Sequence, residues 1–220
     1  MSQVVFFDLD GTICRVNSGY ELVRIAYSKK HVNAGGIVKA LLYSFVYKLG
    51  LARAETIINI MGGWIRGMKH ETLSIIAKEA AEEFLFNSFY NEALAEIKLL
   101  KSENADLVIL SSAIDDICRP LAAHLGIENI LCTEMETSDG TMTGSPLKSY
   151  CFGEEKKRRI LAFCSEKGFD TASAWYYADS YSDLAALQTI GNPVCINPDR
   201  KLRKKALEKG WQIRIWKTVR

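Results

Sequence analysis

The sequence predicts an α/β fold in which a parallel sheet is covered by helices on both faces, a doubly wound arrangement. Short runs of apolar residues, each followed by small or acidic residues, are typical of strands buried in a parallel sheet. From about residue 90 onward, helical periodicity fills the stretches between these runs. This alternation of strands and helices favours a parallel sheet packed between two helical layers.

The strands are predicted from five apolar runs. Val4 to Phe7 opens the chain, and a long segment without a strand pattern follows it. The other runs lie later in the chain, at Ala105 to Leu110, Ala172 to Ala178, Pro193 to Ile196 and Trp211 to Trp216.

Helices are predicted between these strands wherever apolar residues recur three and four positions apart. They are Asp115 to Leu125, Glu154 to Lys167, Ser182 to Thr189 and Arg200 to Lys209. Gly126, Gly168 and Gly210 follow three of them directly and are typical of helix C-termini. Asp139-Gly140, within a polar stretch before the second of these helices, predicts a small two-stranded hairpin.

The segment from residue 13 to residue 88 has helical patterns and no strand pattern. Its predicted helices are Tyr20 to Tyr27, Ile37 to Leu49, Ala54 to Met61 and Glu71 to Phe86. A helical block between the first and second strands predicts an insert that forms a cap. We therefore expect an α/β core at residues 1–12 and 89–220 and a helical cap domain at 13–88.

Composition limits the classes of partner. The 220 residues are 48% hydrophobic and 25% charged, which is ordinary for a globular protein with a sizeable core. A net charge of +2 is too small to indicate nucleic acid binding. The basic stretch from Asp199 to Arg220 is typical of a solvated helix face.

The cysteines and apolar runs favour a cytoplasmic protein. The six cysteines are scattered without a C-x-x-C pair, and the start of the chain does not resemble a signal peptide. The longest apolar stretch, Ile37 to Ala52, contains two lysines and is shorter than the ~20 residues that cross a bilayer. We expect reduced thiols and no transmembrane segment, and the sequence does not indicate an oligomeric state.

Polar side chains follow three of the predicted strands. They are Asp8 and Asp10 after the first strand, Ser111 and Ser112 after the second, and Asp179 and Asp183 after the third. Ligands of open α/β sheets bind outside the carboxyl ends of the strands. The three groups are therefore expected to meet in one crevice.

The residue types in this crevice point to phosphoryl transfer. Asp8 and Asp10, joined by Asp179, offer the hard oxygen ligands that Mg²⁺ prefers, and Gly11 permits a sharp turn beside them. One carboxylate can attack phosphorus to form an aspartyl-phosphate, while a second protonates the leaving alcohol and later deprotonates water. Ser111 and a lysine would hold the phosphate oxygens.

These motifs resemble the haloacid dehalogenase superfamily of phosphohydrolases, and within it the phosphoserine-phosphatase-like subfamily with a helical cap. Val5 to Thr12 resembles the first motif and Leu107 to Ser111 the second. Gly153 to Lys156 resembles the third motif, and Tyr177 to Asp183 the fourth. The resemblance covers most of the chain and implies a Rossmann-like core.

The resemblance also implies roles for the acidic residues. Asp8 would be the nucleophile and Asp10 the general acid and base. Mg²⁺ would be held by Asp8, by the backbone carbonyl of Asp10 and by Asp179. Asp183 would support the metal site through a water or an indirect contact.

Three further residues are expected to bind the transferring phosphoryl group: Thr12, Ser111 and Lys156. Lys148 competes with Lys156 for the third motif. We prefer Lys156 because it precedes a helical run and fits the Gly-x-x-Lys pattern.

The cap would select the substrate, and Asn17, Ser18 and Glu21 are the candidates for that role. Phosphoserine phosphatases carry an acidic residue where this chain has Asn17, so we expect a small phosphorylated metabolite without specifying phosphoserine. The apolar run Ile37 to Ala52 leaves open a lipid headgroup such as phosphatidylglycerophosphate, with peripheral lipid contact.

The fate of the phosphoryl group on Asp8 also stays open in the sequence. A phosphotransferase would pass the phosphoryl group to an alcohol instead of water. A silent Mg²⁺-binding or receiver-like module would not turn over. A receiver has a lone phospho-accepting aspartate at a later strand, so the pair Asp8 and Asp10 favours an enzyme.

Overall fold

The computed structural model describes residues 3–32, 35 and 63–217. Within these ranges a six-stranded parallel sheet has the strand order β3-β2-β1-β6-β7-β8, and a separate antiparallel pair joins β4 to β5. In chain order the strands are β1 (Val4–Phe7), β2 (Asp106–Ile114), β3 (Asn129–Thr133), β4 (Met135–Ser138), β5 (Thr141–Pro146), β6 (Trp175–Ala178), β7 (Asn192–Ile196) and β8 (Gln212–Arg214).

Seven α-helices lie within the same ranges. They are α1 (Ser18–Ser28), α2 (His70–Ala80), α3 (Asn91–Ser102), α4 (Asp115–Leu125), α5 (Glu154–Lys167), α6 (Leu184–Leu187) and α7 (Arg200–Lys209). A π-helical turn lies at Ala81–Leu85, and 3-10 turns lie at Phe86–Ser88 and Tyr181–Asp183.

Helices cover both faces of the sheet, which confirms the doubly wound arrangement. Successive residues of β1 point to opposite faces, so Phe6 and Phe7 belong to different hydrophobic clusters. The Phe7 cluster includes residues of α1 to α4, and the Phe6 cluster includes residues of α5 to α7. Strand β1 lies between β2 and β6. Its carboxyl end therefore lies in the middle of the row formed by the carboxyl ends of the six strands.

The helix ends follow the predicted signals. Helices α4, α5 and α7 have the predicted bounds, and each ends at a glycine in the left-handed region, with φ of 60°, 73° and 67°. This conformation costs glycine little and suits a helix C-terminus. The predicted hairpin is also present as β4 and β5, with Asp139 and Gly140 at positive φ in the turn.

The structure differs from the predicted elements in several places. Strand β2 continues past Leu110 to Ile114, with a shift in its pairing to β3, so Ser111 and Ser112 lie within an irregular strand end. Strand β6 begins only at Trp175, because the residues before it form a turn. The helix predicted from Ser182 is a 3-10 turn followed by the single turn α6.

Strand β3 and helix α3 were not predicted. The apolar part of β3 is only Ile130 to Cys132, and a run of three residues does not distinguish a strand from a loop. Its pairing with β2 at the sheet edge provides the stabilisation that the local sequence lacks.

Two of the four helices predicted for the cap correspond to α1 and α2. These helices pack against each other and bury Leu22, Ile25, Leu73 and Ile76. The helices predicted at 37–49 and 54–61 lie outside the described residues, and the division into cap and core stays a prediction. None of the helices within 3–32, 35 and 63–217 has both the length and the apolar character needed to cross a bilayer.

Candidate active site

The carboxyl end of β1 places Asp8 at the middle of the sheet edge. The Asp8 backbone N–H donates to the Tyr177 carbonyl at 2.9 Å, which extends the pairing of β1 with β6 by one residue. The chain then turns sharply, and the N–H groups of Ile13 and Cys14 donate to the Leu9 carbonyl at 2.9 and 2.8 Å. Asp8 is thereby buried at the sheet, while Asp10 lies on the turn.

Gly11 allows this turn to approach the end of β6. Its φ is +76°, and a Cβ at this position would lie 2.2 Å from the Asp179 Oδ2 atom. Any other side chain would therefore displace the Asp179 carboxylate or strain the backbone. The glycine of the first motif brings the first and third predicted strand ends together.

Three carboxylates form a cluster at this point. One oxygen each from Asp8, Asp179 and Asp183 lies within 4.8 Å of the others. Asp8 and Asp183 are buried, and Asp179 is half-buried. The side chain of Asp183 thus stands with those of Asp8 and Asp179, although the sequence suggested only an indirect role for it.

Lys156 supplies positive charge to this cluster from the first turn of α5. Its side chain is only 2% exposed, and its ammonium group donates to Asp8 Oδ1 at 3.0 Å and Asp183 Oδ1 at 2.6 Å. Lys148, the competing candidate, is exposed. The geometry therefore brings Lys156, and not Lys148, to the predicted site.

The pKa values of the cluster reflect its burial and crowding. Burial, together with the charge of Asp183, raises the pKa of Asp8 to about 7, although Lys156 opposes this shift. Burial and the charges of Asp8 and Asp183 raise the pKa of Asp179 to about 8. Burial lowers the pKa of Lys156, but the carboxylates of Asp183 and Asp8 outweigh it and raise that pKa above its usual range.

These residues fit a divalent cation. The cluster offers three carboxylates, and Lys156 neutralises part of their charge. Oxygen ligands of this type suit Mg²⁺. A bound cation would favour the ionised carboxylates, and so oppose the burial and the like-charge repulsion that raise the pKa values of Asp8 and Asp179.

Asp10 is held apart from the cluster by the start of α1. Its carboxylate accepts hydrogen bonds from the Ser18 N–H at 2.9 Å, from the Ser18 hydroxyl at 3.0 Å and from Asn17 Nδ2 at 3.0 Å. Burial raises the pKa of Asp10 to about 6, and the two bonds from Ser18 oppose the shift. A carboxyl group with this pKa can exchange a proton near neutral pH.

The predicted specificity residues divide into two kinds. Asn17 and Ser18 use their polar groups on Asp10, and Asn17 Oδ1 also caps α1 by accepting from the Tyr20 N–H at 2.9 Å. Glu21 is buried on the same helix and pairs with Arg24 at 3.3 Å. Of the three, Glu21 makes no contact with Asp10 among the described hydrogen bonds.

The predicted phosphate-binding hydroxyls are both buried. Ser111 lies on β2 and accepts from the Ala113 N–H at 3.2 Å, whereas Ser112 is exposed. Thr12 is fully buried, and its hydroxyl has no hydrogen-bond partner among the described residues. An unsatisfied buried hydroxyl is costly and is commonly found where a site has a further function.

Sequence reasoning missed Tyr176, which joins this group from β6. Its hydroxyl donates to Asp183 Oδ1 at 2.8 Å and accepts from Lys156 Nζ at 3.2 Å. The available signal was the alternation of side chains along β6. Adjacent residues of a strand point to opposite faces of the sheet, and Tyr176 points to the face that α5 covers.

Comparison with known proteins identifies the family and several relatives of this chain. The family model for haloacid dehalogenase-like hydrolases matches residues 5–188. A probable phosphatase of Mycobacterium tuberculosis is 30% identical over 94% of this chain and 73% of its own length. A histidinol-phosphatase of Neisseria meningitidis is 26% identical over 97% of this chain and 98% of its own.

A solved structure supports the fold. A phosphoserine phosphatase, solved as a phospho-aspartyl intermediate analogue, superposes with a TM-score of 0.71 at 18% identity, covering 98% of this chain and 94% of the other. The family match and the phosphatase relatives together identify a hydrolase of the phosphatase class. The chain belongs to the haloacid dehalogenase-like hydrolase family, which confirms the resemblance drawn from its four motifs.

Proposed function

We propose that the chain is a magnesium-dependent phosphomonoester hydrolase that acts on a small phosphorylated metabolite through an aspartyl-phosphate on Asp8. The observation that carries this proposal is the contact of Lys156 with both Asp8 and Asp183 inside a three-carboxylate cluster. A buried ammonium beside a buried nucleophile is suited to neutralise the charge of a phosphoryl group.

The first half of the proposed reaction phosphorylates Asp8. A carboxylate oxygen of Asp8 attacks phosphorus, the bond from phosphorus to the alcohol oxygen breaks, and Asp10 gives its proton to that oxygen. Ser111, Lys156 and Thr12 bind the phosphoryl oxygens. The hydrogen bonds from Asn17 and Ser18 hold Asp10 in one orientation for this transfer.

The second half releases phosphate. A water molecule attacks phosphorus, Asp10 takes a proton from it, and the bond from phosphorus to Asp8 breaks. Asp8, Asp179 and the backbone carbonyl of Asp10 would hold Mg²⁺, with Asp183 beside them. Bound Mg²⁺ would neutralise the phosphate charge and orient the reacting groups.

Several observations support parts of this proposal. A phosphoserine phosphatase with the same fold was solved as a phospho-aspartyl intermediate analogue. Relatives bear the names of different substrates, such as histidinol phosphate and phosphoserine, so the proposal extends only to the class of phosphomonoester. All six cysteines are free and buried, consistent with the proposed cytoplasmic location.

The test is hydrolysis of p-nitrophenyl phosphate with Mg²⁺. Asp8→Asn removes the nucleophile and is expected to lower kcat by at least about 10³-fold. Asp106→Asn is the matched control, because Asp106 lies at the amino end of β2, whereas the acidic cluster lies at the carboxyl ends of the strands. Its kcat is expected to equal that of the unaltered protein.

A second measurement addresses the covalent step. Mass spectrometry of acid-quenched enzyme is expected to detect a phosphoryl group on the unaltered protein and none on Asp8→Asn. Undiminished hydrolysis by Asp8→Asn would remove Asp8 as the nucleophile. Product analysis with added glycerol separates hydrolysis from transfer to an alcohol.

A further inference from the structure

Strand β6 carries two adjacent buried tyrosines that point to opposite faces of the sheet. Tyr176 is 0% exposed and Tyr177 is 1% exposed. Tyr177 stacks on Phe7 and donates its hydroxyl hydrogen to Glu96 Oε1 at 2.5 Å, away from the acidic cluster. Tyr176 packs in the hydrophobic cluster beneath α5 and reaches the site.

The Tyr176 hydroxyl bridges two site residues. It donates to Asp183 Oδ1 at 2.8 Å and accepts from Lys156 Nζ at 3.2 Å. Lys156 and Asp183 also bond directly, at 2.6 Å. The three side chains therefore form a closed triangle of hydrogen bonds, and all three are buried.

This triangle fixes the direction of the ammonium group. A lysine ammonium has three donors, and without substrate those of Lys156 are directed at Asp8, Asp183 and Tyr176. The donor directed at Asp8 is the one that can turn to a phosphoryl oxygen when substrate binds. Without the hydroxyl, one N–H of a buried ammonium would have no acceptor, and such a group reorients to find one. The bond to Asp8 is the one that this reorientation would disturb.

We propose that Tyr176 is a positioning residue of the reaction, whose hydroxyl holds Lys156 and Asp183 in register with the nucleophile Asp8. This inference rests on the proposed function, because it assigns Tyr176 a part in the same phosphoryl transfer. The hydroxyl acts through Lys156 and Asp183, since its two hydrogen bonds go to those residues.

Tyr177 provides a matched comparison. Both tyrosines lie on β6, both are fully buried, and each donates to a carboxylate. Only the carboxylate that Tyr176 contacts belongs to the acidic cluster. Loss of either hydroxyl is expected to lower the stability of the fold, but only loss of the Tyr176 hydroxyl is expected to affect the reaction. Comparing the two variants therefore separates the two effects.

The experiment compares Tyr176→Phe with Tyr177→Phe in the full chain. We measure kcat and KM for p-nitrophenyl phosphate with saturating Mg²⁺, together with thermal unfolding. Tyr176→Phe is expected to lower kcat about 10-fold, the effect of one misplaced charge-assisted hydrogen bond, with KM changed less than about twofold. KM is expected to stay nearly unchanged because the positive charge of Lys156 remains in the site.

Tyr177→Phe is expected to keep both kcat and KM, with a decrease in Tm similar to that of Tyr176→Phe. Equal kcat in the two variants would overturn the proposal. A much larger loss of Tm in Tyr176→Phe, or its failure to fold while Tyr177→Phe folds, would also overturn it, because the hydroxyl would then be a stability element. If the unaltered protein lacks activity that Asp8→Asn abolishes, the proposed function fails instead.

Discussion

Gly11 is the residue at which backbone conformation and site chemistry meet. The αL conformation alone costs other residues roughly 1 kcal/mol, and glycines elsewhere in the chain meet the same requirement. At Gly11 a side chain would in addition occupy the space of the Asp179 carboxylate. The cost of the backbone conformation can be separated from the steric clash, because Gly140 also has a positive φ but has open space at its Cβ position.

Gly11→Ala is expected to lower kcat for p-nitrophenyl phosphate by at least about 10-fold, because Asp179 must move away from the cluster. The control is Gly140→Ala in the β4–β5 turn, with a φ of +72° and no atom within 4 Å of its Cβ position. Gly140→Ala is expected to lose about 1 kcal/mol of stability and keep its activity. Equal activity in the two variants would contradict the steric explanation.

At the residue scale, several residues that the sequence singled out lie together in the structure, but their contacts with one another were not predictable. The string from Asp8 to Gly11 indicates a carboxylate pair beside a turn, since those residue types allow few other arrangements. The approach of Gly11 to Asp179 depends on strand pairing between distant segments. Local periodicity does not contain that information.

At the scale of the element, the start of α1 performs two tasks with one residue. Asn17 caps the helix through its carbonyl oxygen and donates to Asp10 through its amide nitrogen. The cap affects the stability of the helix, while the bond to Asp10 bears on the proposed role of Asp10 as acid and base. Substitutions that keep one task and remove the other can therefore distinguish them.

Asn17→Asp is expected to retain the cap, because aspartate caps helices as well as asparagine does, but to place a repulsive carboxylate beside Asp10. Asn17→Ala removes both contacts. We expect kcat to fall about 10-fold in both variants. Loss of the cap in Asn17→Ala is expected to lower Tm by roughly 2–4 °C at any pH, for a loss of about 1 kcal/mol. In Asn17→Asp, repulsion is expected to lower Tm only above the pKa of Asp10, about 6, where both carboxylates are ionised. Kinetics and thermal unfolding of the two variants test this, and full activity in Asn17→Asp would refute it.

Helices were easier to predict than the strand ends they connect. The bounds of α4, α5 and α7 follow from apolar spacing and from terminal glycines. Lys156 could be preferred to Lys148 because a helix start is recognisable. Tyr176 was missed because a buried tyrosine in an apolar strand is interpreted as core until its hydrogen-bond partners are known.

At the scale of the whole molecule, the sheet edge concentrates negative charge. Asp8, Asp179 and Asp183 come from two different strand ends and are partly neutralised by Lys156. Such crowding destabilises the metal-free protein, and a cation bound only by the folded state would stabilise it.

Mg²⁺ at about 100 times its Kd is expected to add about 2.7 kcal/mol to the free energy of unfolding and to raise Tm by roughly 5–10 °C. Asp179→Asn removes one carboxylate and is expected to raise Tm in chelator while reducing the Mg²⁺ shift. Asp106→Asn, at the far edge of the sheet, is expected to keep the full shift. Thermal unfolding with Mg²⁺ or EDTA measures these changes, and a full shift in Asp179→Asn would exclude it as a ligand.

The doubly wound class was predictable because alternating strands and helices allow few topologies. The order of strands was not predictable from local patterns, and the edge strand β3 has too few apolar residues to be recognised. The two helices predicted at 37–49 and 54–61 lie outside the described residues. The apolar run that suggested a lipid substrate, Ile37 to Ala52, lies there too, so the structure adds no support for a lipid substrate.

The central position of β1 has a consequence for local opening. Strand β1 is paired on both sides and its four residues are buried, so its amide hydrogens are expected to exchange with solvent only when the whole domain unfolds. Asp8 directly follows this doubly paired strand, whereas Asp10 is oriented by α1, outside the sheet. Fraying of one helix end can therefore release Asp10, the proposed acid and base, while Asp8, the proposed nucleophile, stays fixed.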